Sequence, residues 1–191
     1  MAFCIWYAIV PLLSEIKKTL GITKQQIWTS SIVGVSSTIF IRFVLGPLND
    51  KFGPRILFTG VLCCASIPCA CIGFVNSAKG LSWLRFFIGI AGGSFVMCQY
   101  WTSRMFAREV VGTANAVAAG WGNLGAGAIQ LIVGSLLFPL FKIFTNGNAE
   151  MAWRTVCIVP AVCAFACGIV IYFVTDDAPK GNYTELKKNG L

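Results

Sequence analysis

The sequence contains, at positions 36–45, the stretch Ser36-Ser37-Thr38-Ile39-Phe40-Ile41-Arg42-Phe43-Val44-Leu45, which places a cation inside an apolar run. The run extends from Ile27 to Leu48 and is long enough for a bilayer-spanning helix, which needs about 20 residues. An arginine at the centre of such a helix costs roughly 2.5–3.5 kcal/mol on insertion scales and normally has an anionic partner. The other apolar segments carry no aspartate or glutamate at a comparable depth. The sequence therefore predicts that a bound anion completes the charge of Arg42, as in an anion transporter.

The composition of the whole chain is that of a membrane protein. Of its 191 residues, 57% are hydrophobic and 12% are charged, and the mean hydropathy is +0.76. A soluble domain has about 25% charged residues. We predict an all-α, multi-pass membrane protein whose bundle occupies residues 1–175. The segments long enough to cross a bilayer are at about 26–48, 56–75, 81–102, 112–138 and 155–175.

The first apolar segment, Met1–Leu13, is too short to span a bilayer. It begins abruptly with Ala2-Phe3-Cys4-Ile5-Trp6, a pattern that is typical of the second half of a helix. We therefore expect a truncated first helix, either because the chain starts partway through a longer protein or because Met1 is an internal methionine. The connections are predicted at 14–25, 49–55, 76–80, 103–111 and 140–154, and a cytoplasmic tail or the start of a linker at 176–191.

Several classes of function are excluded by composition. The net charge of +8 is spread over short connections without a dense basic cluster, so nucleic acid is not an expected partner. The chain has no histidine, and its nine cysteines lie in apolar segments. We predict that these thiols pack as small hydrophobes, with no metal site and no cofactor. We do not predict an enzyme, because no nucleophile, base and orienting group form a recognisable set.

One face of the Arg42 helix is polar and small. Its members recur at spacings of three and four residues, as expected for a single helical face. They are Ser31, Gly34, Thr38, Arg42, Gly46 and Asn49. Turned inward, this face would line a water-filled path. The alternative is that Arg42 snorkels towards Asp50, eight residues and about 12 Å further along the helix.

A glycine-rich turn follows this helix. The stretch Gly46–Arg55 fits the pattern Gly-x3-Asp-x2-Gly-x-Arg. It predicts a helix stop, a tight turn and a helix start, in which Asp50 and Arg55 pair or cap. The pattern resembles the signature loop between the second and third helices of the major facilitator superfamily. The resemblance implies that Gly46, Asp50, Gly53 and Arg55 belong to a cytoplasmic loop that helps to lock one conformation.

A second glycine-rich segment lies at Gly120-Trp121-Gly122-Asn123-Leu124-Gly125. It has the spacing of the dinucleotide fingerprint, but that fingerprint requires a preceding strand and a soluble helix, so nucleotide binding is rejected. Close helix packing through small residues is one interpretation. The other is that the amide of Asn123, on one face with Gln130 and Gly127, donates hydrogen bonds to an anion. We expect both to hold.

This segment resembles the nitrate signature of the nitrate/nitrite porter family, a branch of the major facilitator superfamily. Further agreement is found in Ala2–Trp6, Arg42, Gly92–Phe95, Gln99–Trp101 and Asp176–Asn182. The pattern is most similar to high-affinity nitrate transporters of algae and plants. It covers nearly all of the chain, but only the amino-terminal half of the family's twelve-helix fold.

The resemblance implies a transporter of nitrate, or nitrite, that works by alternating access, with a six-helix amino-terminal bundle. Arg42 matches the arginine that grips nitrate, and Asn123 matches the asparagine that hydrogen-bonds it. Phe3 and Phe95 match aromatic positions that sandwich the flat anion. The full set of predicted substrate-binding residues is Arg42, Asn123, Phe3, Phe95, Gly120, Gly122 and Gly125.

The resemblance also implies proton coupling, a plasma-membrane location and a missing carboxy-terminal half that supplies a second arginine. No acidic residue lies in the middle of an apolar segment, so the proton-coupling group is expected elsewhere. Arg85 lies early in its helix, and we expect it to anchor at the interface or contact a loop, with substrate contact as the alternative. Two other functions stay open: transport of another small anion, such as an organic carboxylate, and a truncated membrane subunit that does not transport.

Overall fold

The computed structural model describes residues 1–179 and 181–183 of the chain, and most of them are helical. The helices are α1 (Ala2–Tyr7), α2 (Leu13–Leu20), α3 (Lys24–Phe52), α4 (Pro54–Ala70), α5 (Ala78–Gly89), α6 (Ser94–Met105), α7 (Val111–Leu131), α8 (Phe138–Phe144), α9 (Ala149–Val156) and α10 (Ile158–Val174). Tighter 3-10 turns lie at Val10–Leu12, Cys71–Phe74 and Ile90–Gly93, and a wider π-helical turn lies at Ile132–Leu137.

Five helical stretches in the described part of the chain are long and apolar enough to cross a membrane. They are Lys24–Phe52, Pro54–Phe74, Ala78–Met105, Val111–Phe144 and Ala149–Val174. Each coincides with one of the five predicted segments, and two of them end one residue before the predicted end. The protein is therefore an all-α, multi-pass membrane protein, as the composition predicted.

The first helical segment continues past its predicted end. The connection predicted at 14–25 is helical as far as Leu20, because α2 follows α1 after a 3-10 turn. The apolar pattern missed α2 because its outer side is polar. Glu15 and Lys18 form an ion pair at 2.6 Å across one helical turn, which supports a helix without an apolar run. Gly21 then ends α2 in the left-handed conformation, with φ of +62°.

The predicted boundary at residue 48, with a connection at 49–55, is wrong. The α3 helix continues through Pro47 and ends at Phe52, before Gly53. Proline removes one backbone hydrogen bond, and membrane helices tolerate this loss because neighbouring groups satisfy the freed carbonyl. Gly53 has φ of +85°, a conformation that favours glycine, and it is the true stop.

The connection predicted at 140–154 is also shorter than expected. Only residues 145–148 separate α8 from α9. The side chain of Asn148 accepts hydrogen bonds from the backbone amides of Glu150 and Met151 at 3.0 and 3.3 Å, so α9 begins with a capped turn. Hydropathy does not detect a helix start of this kind, because the first turn is polar.

Neighbouring helices are paired along the bundle. The α4 helix lies beside α10, where the hydroxyl of Thr59 donates to the carbonyl of Gly168 at 3.2 Å. The α1 helix lies beside α7, and α3 lies beside α5 and α6. Fully buried side chains from α1, α4, α5 and α9 form the core between these pairs. Its largest members include Ile5, Leu62, Ile88 and Trp153.

Different hydrogen bonds hold the helices together at the two ends of the bundle. At one end, which we call the Asn76 end, the guanidinium of Arg154 donates to the carbonyls of Gly73 and Val75 at 2.6 and 3.0 Å and to the side chain of Asn76 at 2.9 Å. At the other, the Asp50 end, the last residues of α3 and α6 meet the segment after α10. Of the predicted tail at 176–191, residues 180 and 184–191 lie outside the described residues.

The helices differ in how much surface they bury within this chain. In the most apolar 18-residue window of Ala78–Met105, 50% of the residues are buried, against 11% in Val111–Phe144 and 22% in Lys24–Phe52. The first of these stretches is therefore central, whereas α7, α8 and α3 leave broad faces uncovered. The nine cysteines, all of which are described, are free thiols.

Candidate functional site

The close approach of α3 to α5 positions the candidate site. If Gly92 were replaced by alanine or a larger residue, the new Cβ would lie 2.6 Å from side-chain atoms of Thr38. The hydroxyl of Thr38 donates to the carbonyl of Gly89 at 2.7 Å, and this bond is buried. The two helices run parallel, because contacts from Gly34 to Arg85 and from Thr38 to Gly89 advance in the same direction, and the 3-10 turn that holds Gly92 continues the line. We call this line of contact the α3–α5 seam.

Arg42 lies one turn after Thr38 on α3, and its side chain contacts the α3–α5 seam. One Nη2 hydrogen donates to the carbonyl of Gly92 at 3.3 Å, and the guanidinium carbon lies 5.7 Å from the ring centroid of Phe95. The alternative, in which Arg42 snorkels towards Asp50, gives no ion pair, and Asp50 accepts a hydrogen bond from the Tyr100 hydroxyl at 2.9 Å. Within the described part of the chain, no carboxylate lies within 4.0 Å of Arg42.

A small cavity beside Phe95 brings four of the predicted residues together. Phe3, Phe95, Gly122 and Gly125 all line it, and its volume is about 90 Å³. The ring of Phe3 lies 3.5 Å from the position that a Cβ would occupy at Gly122, so the missing side chain leaves room for the aromatic wall. By the same measure a single water needs about 10–15 Å³. The cavity therefore has space for a small ion and some water.

The cavity is closed on one side by α1. The thiol of Cys4 donates to the carbonyl of Gly125 at 3.5 Å, which holds the start of α1 against α7. On the other side, Gln99 of α6 donates to the backbone carbonyl of Asn115 at 3.3 Å, and Asn115 donates to Ser103 at 3.0 Å. These bonds fix the spacing of α6 and α7 around the cavity.

Asn123 and Gly120 lie outside this cavity. Asn123 lines a separate shallow surface with Gly127 and Gln130, which confirms that these three share a face of α7. Gly120 has open space where its side chain would be. The amide of Asn123 is exposed and makes no hydrogen bond to the described residues. The structure thus places Arg42 against Phe95, outside the lining of the cavity that Phe3 and Phe95 share, and leaves the asparagine on the uncovered side of the bundle.

The glycine-rich turn at the Asp50 end is held by a residue that the pattern did not suggest. Asp177 is buried, and its carboxylate accepts from the backbone amide of Arg55 at 2.8 Å, at the start of α4. A carboxylate is favourable at the positive end of a helix. A Cβ at Gly53 would lie 2.7–2.9 Å from the Asp177 carboxyl atoms, so only glycine fits.

The other residues of the turn have separate partners. Arg55 does not pair with Asp50; its guanidinium donates to the carbonyls of Tyr172 and Thr175 at 3.3 and 3.4 Å. Gly46 has open space around it. Asn49 is fully buried, and its side-chain amide has no hydrogen-bond partner among the described residues.

Sequence reasoning missed two contacts of this region. Arg85 contacts another helix and not a loop: its Nη1 donates to the hydroxyls of Ser30 and Ser31 at 3.0 and 2.8 Å. The contact between Asp177 and α4 joins residues 122 positions apart. A local pattern carries no signal for such pairings, although the serines at the start of α3 and the acidic residue after α10 are visible in the sequence.

Comparison with known proteins agrees with this architecture. Residues 1–190 match the Major Facilitator Superfamily. "High-affinity nitrate transporter 2.3" of Oryza sativa subsp. japonica is 36% identical over 184 residues, which are 96% of this chain and 35% of that protein. "High affinity nitrate transporter 2.5" of Arabidopsis thaliana is 34% identical over 184 residues, 96% of this chain and 36% of that protein.

A bacterial relative aligns with the whole length of this chain. "Nitrate/nitrite transporter NrtP" of Nostoc punctiforme is 30% identical over 194 aligned positions, which cover 100% of this chain and 38% of that protein. The chain thus spans little more than a third of the length of each of these three relatives.

Proposed function

The chain belongs to the Major Facilitator Superfamily, and we propose that it forms the amino-terminal bundle of a carrier that moves nitrate, or nitrite, across a membrane. Its relatives are named as nitrate or nitrate/nitrite transporters, which supports this substrate. In such a carrier two bundles rock around an anion near the middle of the membrane. This chain supplies one wall of the site, and a second bundle supplies the other.

The unpaired charge of Arg42 is the observation that carries the proposal. Its guanidinium lies within α3 against the ring of Phe95, with no carboxylate of the described residues in ion-pair range. A membrane-embedded cation is costly and marks a pathway for a substrate or ion. A bound anion removes this cost, and the uncovered face beside Arg42 lets the anion enter.

The geometry around Arg42 suits a flat anion. Guanidinium is a planar fork of donors and matches a planar acceptor with two or three oxygens. The rings of Phe3 and Phe95 line one cavity with the bare backbone of Gly122, so a flat ligand can approach closely. Asn123 contributes from the uncovered face of α7, where its amide is free to donate once the second bundle encloses the anion.

The remaining parts of the proposal follow from the family. We propose coupling to protons, a plasma-membrane location, orientation of the Asp50 end towards the cytoplasm, and transport rather than catalysis. The carboxylates of the described residues lie at helix ends, in connections or after α10. The proton-coupling group is therefore assigned to the second bundle.

A binding measurement on the purified chain tests the proposal. With the chain in phosphatidylcholine nanodiscs, we expect Arg42→Gln to weaken nitrate binding about 10- to 100-fold, because a charge-assisted hydrogen bond is worth about 1.5–3 kcal/mol. Arg42→Lys should give an intermediate affinity, since it keeps the charge but loses the fork. Calorimetric titration with nitrate, and competition by nitrite, chloride and formate, provide the readout.

The matched control for this test is Arg108→Gln. Arg108 is an exposed cation in the connection between α6 and α7, so its substitution removes the same charge from a position outside the site. Its nitrate affinity should equal that of the unmodified chain. Unchanged affinity in Arg42→Gln would refute the assignment of Arg42, and a preference for formate would replace nitrate with a carboxylate as the substrate.

A further inference from the structure

A second guanidinium lies in the same seam as Arg42. Arg85 is half-buried on α5, within the membrane-capable stretch Ala78–Met105. No carboxylate of the described residues lies within 4.0 Å of it. A cation within a membrane-capable helix is costly, and the described residues supply Arg85 with no balancing negative charge.

The hydrogen bonds of Arg85 fix which way its fork faces. The hydroxyls of Ser30 and Ser31 both donate to the carbonyl of Ile27, at 2.7 and 3.1 Å. Their oxygens are then left to accept, and both accept from Nη1 of Arg85. This uses both Nη1 hydrogens, so the serines hold the guanidinium by one corner and do not neutralise it.

The opposite edge of the Arg85 guanidinium stays unused. A guanidinium has five N–H donors, so three remain, on Nε and Nη2. These three have no hydrogen-bond partner among the described residues, and neither nitrogen is among the buried unpaired atoms of that part of the chain. The Nε–Nη2 edge presents two parallel N–H groups, the geometry that receives two oxygens of a planar anion.

Ser31, which holds Arg85, lies on the same side of α3 as Arg42. Ser31 and Arg42 are 11 residues apart, close to three full helical turns, and therefore share a face. The separation along the axis is about 16 Å. Arg85 is thus displaced from Arg42 towards the Asn76 end, along the uncovered face on which we place the anion path.

We propose that Arg85, oriented by Ser30 and Ser31, forms a second binding point for nitrate, which the anion occupies between the Asn76 end and Arg42. The inference rests on the proposed function for the identity of the anion. The Nε–Nη2 edge of Arg85 holds two oxygens of the ion, which then moves one site along α3. Two points about 16 Å apart hold two ions at once, because their mutual repulsion is offset by the two cations.

Counting bound ions tests this inference. Equilibrium dialysis with isotope-labelled nitrate, against the chain in phosphatidylcholine nanodiscs, should give two ions per chain at saturation. Arg85→Gln should bind one ion, and Arg42→Gln should also bind one. The matched control is Lys79→Gln, which removes a cation from the first turn of the same helix and should still bind two.

The outcomes separate this inference from the proposed function. Two ions retained by Arg85→Gln would overturn the second site, as would one ion in the unmodified chain that Arg42→Gln abolishes; in both cases the role of Arg42 stands. Two ions retained by Arg42→Gln would refute the proposed site instead. If Arg85 only joins α3 to α5, Arg85→Gln will lower the unfolding temperature and still bind two ions.

A conservative variant keeps the test decisive if Arg85→Gln does not fold. Arg85→Lys retains the charge and a donor to the two serines but has no planar edge. We expect it to fold and to bind the second ion at least tenfold more weakly. Equal affinity of both sites in Arg85→Lys would contradict the proposed role of the Nε–Nη2 edge.

Discussion

At the centre of α3, the charge of Arg42 is met by a ring face and a peptide carbonyl. The guanidinium lies 5.7 Å from the centroid of Phe95 and 3.3 Å from the oxygen of Gly92. Neither group carries a full negative charge, so the two orient the fork without saturating it. The ring also limits rotation of the guanidinium.

Replacing the ring of Phe95 tests this orienting role. We expect Phe95→Leu to weaken nitrate binding about 2- to 30-fold, because a cation–π contact is worth about 0.5–2 kcal/mol. Phe95→Tyr keeps the ring face and should retain the parental affinity within about twofold. Calorimetric titration in nanodiscs gives the affinities.

The control at this position is Phe43→Leu. Phe43 is next to Arg42 in sequence but is 77% exposed and points away from the seam. Equal losses of affinity in Phe95→Leu and Phe43→Leu would show that apolar area, and not the ring over the guanidinium, sustains binding.

Among the helices, the α3–α5 seam depends on residues without side chains. Backbone atoms of α3 and α5 approach closely at Gly34 and Gly89, and Thr38 fills the space above Gly92. Small residues at such contacts allow dispersion contacts and hydrogen bonds between backbones, which drive helix association in lipid. The same closeness brings the Gly92 carbonyl within reach of Arg42. The backbone atoms that pack the helices therefore also position the proposed anion site.

A methyl group at Gly92 should separate the two helices. The new Cβ would lie 2.6 Å from both Cγ2 and Oγ1 of Thr38, a β-branched side chain with few alternative rotamers. We expect Gly92→Ala to lower the free energy of unfolding by about 1–3 kcal/mol. Thermal unfolding in detergent, followed by circular dichroism, measures the change.

Gly46→Ala provides the comparison for this variant. Gly46 lies inside α3 with no atom within 4 Å of its Cβ position. Alanine there should leave stability unchanged or raise it by up to about 1 kcal/mol, through helix propensity. Similar destabilisation in both variants would mean that the seam is not tightly packed.

The elements that the sequence predicted are those with a local cause. The apolar run around Arg42 depends on neighbouring residues and is found where it was predicted, and a turn does occur within the predicted stretch Gly46–Arg55, at Gly53. The α2 helix was missed because its support comes from the Glu15–Lys18 pair and not from hydropathy. The partners of Arg85 and the Asp177 contact join distant segments, so only a fold places them.

On the scale of the whole molecule, the uncovered faces decide what this bundle can do alone. The stretch Val111–Phe144 buries only 11% of its most apolar window, and the candidate residue Asn123 lies on its exposed side. The chain also covers about 35% of the rice relative's length. In the proposed carrier, an anion at Arg42 therefore has protein of this chain on one side only, and we expect transport to need a second wall.

Uptake by intact cells tests the need for that wall. In a cell that lacks nitrate uptake, we expect the chain alone to give no accumulation of isotope-labelled nitrate above background. Co-expression with the remaining, carboxy-terminal part of the rice relative should restore measurable uptake. Surface labelling of an epitope tag confirms that both polypeptides reach the membrane.

Uptake by the chain alone would contradict this expectation and would indicate that two copies of the bundle face each other. Restored uptake that persists in Arg42→Gln would instead show that the anion passes by a route without the α3–α5 seam.

The carboxylate that caps the start of α4 belongs to Asp177. This residue is 122 positions later in the chain than Arg55, whose backbone amide donates to it. Ribosomes deliver the amino-terminal helices first, so α4 enters the lipid before residue 177 has been translated. Until then the backbone amide of Arg55 lacks its final acceptor, and the bend at Gly53 is free to adopt other angles. Assembly of this bundle is therefore complete only once Asp177 reaches the turn at Gly53. In a nascent chain that stops before α10 has emerged, the turn lacks this contact.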